Sequence, residues 1–144
     1  MATGKRVDPY KGFNFRVEID GIQQAGFQEV SGLDASTDPQ DYREGTDPNH
    51  VRKLSGLNKY SAITLKRGIT DSDELWKWRL TVIDGKAERK NGSIVLLDDA
   101  GQEKLRWNFA NAWPSKWTGP SFNSTSSAVA VETLELTQEE VKKA

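Results

Sequence analysis

Hydrophobic and polar residues alternate along this chain in short runs, and one stretch breaks the alternation. Phe13, Phe15, Val17 and Ile19 alternate with Asn14, Arg16, Glu18 and Asp20, the pattern of a strand with one wet face. Asp20-Gly21 is a hairpin turn signal. The return strand is expected over residues 22–33, with Ala25, Phe27 and Val30 inward and Gly26 marking a bulge or close approach. Ile63 and Leu65 alternate with Thr64 and Lys66 until Gly68, where the period changes. Leu75, Trp78 and Val82 recur at helical spacing, and Trp76, Leu80 and Ile83 widen that apolar face. Thr70 and Asp73 have the spacing of a helix start, because a side-chain oxygen there can accept from an orphan backbone N–H. Asp71, Asp73 and Glu74 place negative charge at the positive end of the helix dipole. Gly85 can take the left-handed conformation that closes a helix.

Downstream the pattern is strand again. Ile94 to Leu97 is a short apolar run, and DDAGQE reads as the next turn. Residues 104–117 form a long strand in which Leu105, Trp107, Phe109 and Trp113 share a face with Asn111. Pro114 makes it an edge or a bend. Residues 128–136 form the last strand, where Val129 and Val131 give way to Leu134 and Leu136, a phase slip that implies a bulge. About six or seven strands and one helix predict a mainly β, antiparallel two-sheet barrel or sandwich with a flanking helix. The core is expected to include Leu75, Trp78, Val82, Trp107 and Phe109.

Three segments lack periodicity. Residues 1–12 read as a flexible arm and residues 137–144 as a polar tail. Residues 35–58 hold two Thr-Asp-Pro turns and mixed charges. A structureless loop of this length inside one domain is either a surface insertion or an arm that orders on a neighbour.

Composition narrows the function. The chain has 144 residues, enough for one domain with its own core, yet only 35% are hydrophobic and mean hydropathy is -0.69. Five Trp and five Phe must do much of the filling. A net charge of -1 argues against a general binder of nucleic acid or anionic membrane. With no cysteine there is no disulfide framework and no thiolate metal site. No apolar run reaches the length of a membrane span, and the start lacks the apolar region of a signal peptide, so synthesis in the cytoplasm is expected.

Catalytic chemistry finds no support. The single histidine, His50, sits in the long loop without a nucleophile beside it. Asp71 and Asp73 lack the glycine and distal glutamate of a calcium loop. Asp98 and Asp99 lie in a turn, and Lys86, Arg89 and Lys90 are offset by Glu88. No catalytic, metal or cofactor residue is nominated. The tryptophans leave a second function class open: Trp113 and Trp117, with Trp107, on an exposed face would stack on sugar rings. The alternative is that they are core and interface residues.

Several segments in order carry a family resemblance. They are DPYKGFNFRVEIDG at residues 8–21, GFQEVSGLD at 26–34, YREG at 42–45, KLSGLNKYSAITLKRGIT and LWKW within 53–78, NGSIVLLDDAG at 91–101, RWNFANAWPSKWTGPSFN at 106–123 and AVAVETLEL at 128–136. The chain resembles the tail-tube proteins of contractile phages and phage-tail-like injection particles, cousins of the ring protein of type VI secretion. It departs at its end, where family members often carry His-Glu-Gly and this chain has Thr137-Gln138-Glu139-Glu140. The resemblance implies a non-enzymatic subunit of hexameric rings, stacked into a hollow tube inside a contractile sheath. It implies partners as well: further copies of the chain, the sheath, baseplate and tube-terminator proteins, and luminal cargo of effector proteins or DNA. Assembly would be into a phage tail or an injection particle. Inter-subunit contacts are expected from Asp41, Tyr42, Arg43, Glu44, Arg52 and Lys53 in the loop. Edge strands Phe13–Ile19, with Phe13 and Phe15, and Lys104–Trp113 are expected to offer backbone groups to neighbours.

Overall fold

The computed structural model describes residues 8–22 and 26–144. The expected flexibility of residues 1–12 and the inward Ala25 fall wholly or partly outside them. Two antiparallel half-sheets share one strand. β1 (Phe15–Ile19), β6 (Lys90–Leu97), the first part of β7 (Glu103–Thr118) and β9 (Glu140–Lys143) form one half. The rest of β7, β8 (Val131–Thr137), β5 (Ile63–Gly68) and β2 (Glu29–Ser31) form the other, giving the path β1-β6-β7-β8-β5-β2. Val17, Ile19, Ile63, Leu65, Ile94, Phe109, Leu134 and Leu136 face each other between the halves as a dry core.

β7 is where the alternation is rewritten. Up to Phe109 its inward residues are those expected, opposite Leu96, Ile94 and Gly92 of β6. Asn111 then adopts φ 55, a left-handed conformation that asparagine tolerates better than most residues. Beyond it Ala112 and Pro114 are the buried residues, so Trp113 is turned to the opposite face from Phe109, contrary to the expected pattern. A second irregularity between Pro114 and Lys116 brings Trp117 back inward opposite Leu134. Pro114 fits within a strand because β6 pairing has already ended at Ala112, leaving a ladder on one side only. The phase slip assigned to residues 128–136 is therefore on the neighbouring strand. β8 itself alternates regularly, burying Glu132, Leu134 and Leu136, while Val129 precedes it and is exposed.

The helix, α1 (Glu74–Ile83), buries Leu75 and Trp78. Its apolar stripe is narrower than expected. Val82 and Leu80 are half-buried, Ile83 is exposed, and Trp76 leans outward onto Trp117 with ring centroids 4.8 Å apart. The N-cap is Asp73, with no side-chain cap; Thr70 Oγ1 accepts from the Ser72 N–H instead. Gly85 closes the helix at φ 83 as expected.

Four further expectations are corrected. The Asp20-Gly21 turn closes with a single bridge, Ile19 to Ile22, and β2 pairs with β5 rather than with β1. The spacing of Ile22, Phe27 and Val30 does not fit one period-2 strand: Ile22 bridges back to Ile19, whereas Val30 pairs with Leu65 in the other half-sheet. The polar tail is partly ordered as β9, where Val141 sits opposite Phe109 and packs on the core. Residues 107–110 lie between β6 on one side and β9 on the other, so the middle of the expected edge 104–113 is not an edge. Residues 35–58 are not a structureless loop: β3 (Ala35–Tyr42) and β4 (Arg52–Tyr60) make a separate two-stranded antiparallel sheet.

Candidate assembly interface

The arm formed by β3 and β4 holds itself together with charge rather than with a core. Its strands pair from Ala35–Tyr60 out to Tyr42–Arg52, with one bulge between Thr37 and Pro39. Cross-strand ion pairs join Lys53 to Asp41 at 2.5 Å and Lys59 to Asp38 at 2.8 Å. Thr37 Oγ1 donates to Asn58 Oδ1 at 2.6 Å. Opposite charges facing each other across strands stabilise a sheet in the way an apolar pair does, by a smaller amount in water.

The tip is organised around Asp47, whose side chain is 5% exposed although it sits at the end of the arm. Arg52 Nη2 donates to its Oδ1 at 2.6 Å and the Glu44 N–H to its Oδ2 at 2.8 Å. Arg43 Nη2 donates to the carbonyls of Asp47 and Pro48, and Tyr42 Oη donates to Glu44. The six loop residues nominated from sequence thus come together on one structure: Asp41 and Lys53 as a pair, Tyr42, Arg43, Glu44 and Arg52 around the tip. Asp47 is not among them, although the sequence shows the Thr-Asp-Pro turn that contains it. Leu54 and Leu57 also lie open on the arm, Leu57 at 73% exposure.

Phe13 and Phe15 are elsewhere and differ from each other. Phe13 precedes β1 and is exposed, while Phe15 turns inward and packs against the core. Phe15 also lines a groove of about 230 Å³ with Val30, Leu33, Leu96 and Trp107, at the open side of the sandwich between β1 and β2. Of the residues assigned to the core, Leu75, Trp78 and Phe109 are buried, whereas Trp107 is half-buried as a wall of this groove.

The outer face of the β1-β6-β7-β9 half carries a closed charge network. Arg106 donates to Glu18 at 3.0 Å and to Glu103 at 2.6 Å, and Arg16 lies 3.2 Å from Glu18. Hydrogen bonds from Arg106 hold the Glu18 and Glu103 carboxyls below their ordinary range, so both stay ionised where a free glutamate begins to protonate. Val95, which points to this outer face, is fully covered.

Trp113 and Trp117 do not form a stacking platform. They fall on opposite faces of β7, opposite Thr137 and Leu134 respectively. Trp117 is further held by Trp76 and by donating its N–H to Glu132 at 3.3 Å. Among the described residues no three His, Asp or Glu side chains converge as a metal site, and no helix is long and apolar enough to cross a membrane.

The sequence profile of the T4-like virus tail tube protein gp19 family matches residues 11–142. No curated protein matches the sequence. Among solved structures, the chain is similar to one in the sheath-tube complex of an extracellular contractile injection system, PVC, in the extended state. That likeness has a TM-score of 0.84 and 33% identity over 94% of this chain and 91% of the other. A chain in the PVC sheath/tube terminator structure is similar at TM-score 0.86 and 33% identity, over 96% and 98%. Hcp1 from Flavobacterium johnsoniae shares the fold at TM-score 0.58 and 20% identity, over 91% and 94%.

Proposed function

The chain belongs to the T4-like virus tail tube protein gp19 family, and from that premise we propose that copies of it close into hexameric rings stacked as the hollow inner tube of a contractile injection machine. Its role is structural. The observation that carries the stacking is the arm. A two-stranded hairpin with both faces in water is marginally stable, yet this one has an ordered tip, open leucines and, among the described residues, no other element packed along it comparably. Those are the properties of a surface that is completed by a neighbouring copy.

Free strand edges support lateral contact in the same way. Among the described residues β1 and β2 end the sheet path, and beyond Ala112 one side of β7 is unpaired. Such edges template pairing with another chain. A heterologous contact repeated by rotation closes a ring, and a second one along the axis makes a tube. The similar chains sit in a sheath-tube complex and a tube terminator structure, which supports a sheath outside the tube and a terminator at its end. The bore then conducts effector proteins or DNA.

Negative-stain microscopy of the purified protein, with mass measured in solution, tests this. Rings or hollow tubes of uniform diameter are expected. A monomer that stays a monomer at high concentration and with sheath and baseplate supplied overturns it. The arm has its own test. Arg43→Glu is expected to change subunit stability by no more than about 0.5 kcal/mol, as for an exposed site, and to raise the concentration needed for tube growth about tenfold. Loss of the folded subunit itself would contradict the arm's independence from the core.

A further inference from the structure

The arm leaves the body through two short segments, residues 32–34 and 61–62. The β2–β5 ladder stops at Ser31–Thr64 and the β3–β4 ladder starts at Ala35–Tyr60, so among the described residues no sheet pairing crosses the root. An arm whose shorter strand, β3, has eight residues, at about 3.3 Å each, reaches roughly 26 Å beyond that gap. A rotation of about 10° at the root therefore moves the tip about 4–5 Å, close to one inter-strand spacing. A contact made by the tip needs a root that does not swing.

Two residues hold it. Gly32, at φ 95, passes so close to the arm's other leg that a Cβ there would lie 2.1 Å from the Ala62 carbonyl oxygen. Gln138, in the β8–β9 connection, is 7% exposed, and its Nε2 donates to the Ser61 carbonyl at 2.5 Å. Its Oε1 is buried and has no hydrogen-bond partner among the described residues. An amide with an unmet buried acceptor is a costly way to fill space, since leucine packs the same volume without that penalty. What the amide does that leucine cannot is bond the arm's root. The connection that carries it is itself fixed: Glu139 N donates to Ala110 O at 3.0 Å, and its carboxylate takes Arg89 at 3.2 Å and Asn111 Nδ2 at 2.9 Å.

We infer that Gln138 is the positioning residue of the arm, latching its root at Ser61 at a fixed angle to the body, and that tube growth depends on that angle. The second clause rests on the assembly reading above; the first does not.

The chain has no cysteine, so Asn49→Cys at the tip and Ala100→Cys on the body give a clean pair of spin-label sites on exposed positions. Pulsed electron resonance on the labelled subunit, kept dilute so that it stays monomeric, reads the distance distribution between them. With Gln138 present a single narrow distribution is expected. Gln138→Leu should widen it about twofold, leave thermal melting unchanged or slightly raised, and raise the concentration for tube growth tenfold or more. Gln138→Met, of similar length, serves the same purpose if the leucine variant does not fold. An unchanged narrow distribution overturns the latch. A widened distribution with unimpaired tube growth leaves the latch standing and overturns the dependence of assembly on arm angle.

Discussion

Replacing Arg67 by methionine is expected to destabilise the subunit by about 3–5 kcal/mol, the cost of leaving one member of a buried ion pair uncompensated. Arg67 and Glu132 sit opposite each other on β5 and β8, with side chains 5% and 8% exposed. Arg67 Nε donates to Glu132 Oε1 at 2.6 Å, and its Nη2 donates to the Ser72 carbonyl just before the helix. Trp117 donates to the other Glu132 oxygen, and the Phe27 ring lies 6.0 Å below the guanidinium. With the arginine gone, the Glu132 carboxylate is left in a dry layer with one indole N–H. The double variant Arg67→Met/Glu132→Leu is expected to recover most of the loss, because well-packed apolar residues of similar volume are often neutral or better than a buried pair. Urea unfolding of the two single variants and the double reads the coupling directly. A cost under about 1 kcal/mol for Arg67→Met would mean that water reaches the pair.

This pair also shows what the alternation of apolar residues conveys and what it omits. Where one face of a strand is dry and the other wet, the sequence announces it: β1, β5 and the first part of β7 follow their patterns closely. Arg67 and Glu132 occupy inward positions of such strands and look like outward residues, since nothing in a one-dimensional pattern says that two charges meet. At Asn111 the left-handed backbone turns β7 over, and every residue after it is assigned to the wrong face until the bulge past Pro114 restores the phase. The hairpin arm has the sequence signature of a loop for the opposite reason. Both its faces are wet in the single subunit, so no period-2 signal exists, and its strands are specified by Asp38, Asp41, Lys53 and Lys59 pairing across them. β9 is too short to show a period at all. The expected arm residues rest on turn chemistry and family likeness, which do not depend on a buried face. Gln138 falls where this chain departs from the family pattern, but nothing in the sequence joins it to Ser61, 77 residues away.

The helix anchor carries the other large expected effect. Trp78 is 3% exposed, and its indole N–H donates to the Glu88 carbonyl at 2.7 Å. Its own carbonyl accepts from Thr81 Oγ1, which in turn accepts from the Glu88 N–H. One side chain therefore fills the core beneath α1 and ties down the segment that leads into β6. Trp78→Ala is expected to cost about 3–5 kcal/mol for the cavity, with the orphaned Glu88 carbonyl adding to it where water does not enter. In a domain of this size that corresponds to a fall in melting temperature on the order of 10 °C. Trp76, two residues earlier, is the control. It is more than a third exposed and touches Trp117 alone among the aromatic rings described, so Trp76→Ala should cost about 0.5–1.5 kcal/mol. Equal losses for the two variants would show that α1 presents a different face to the sheet. If Trp78→Ala melts early while the arm-tip contacts of Asp47 persist below the transition, the two parts of the subunit are energetically separate. The body then sets whether a subunit exists, and the arm sets only what that subunit can join.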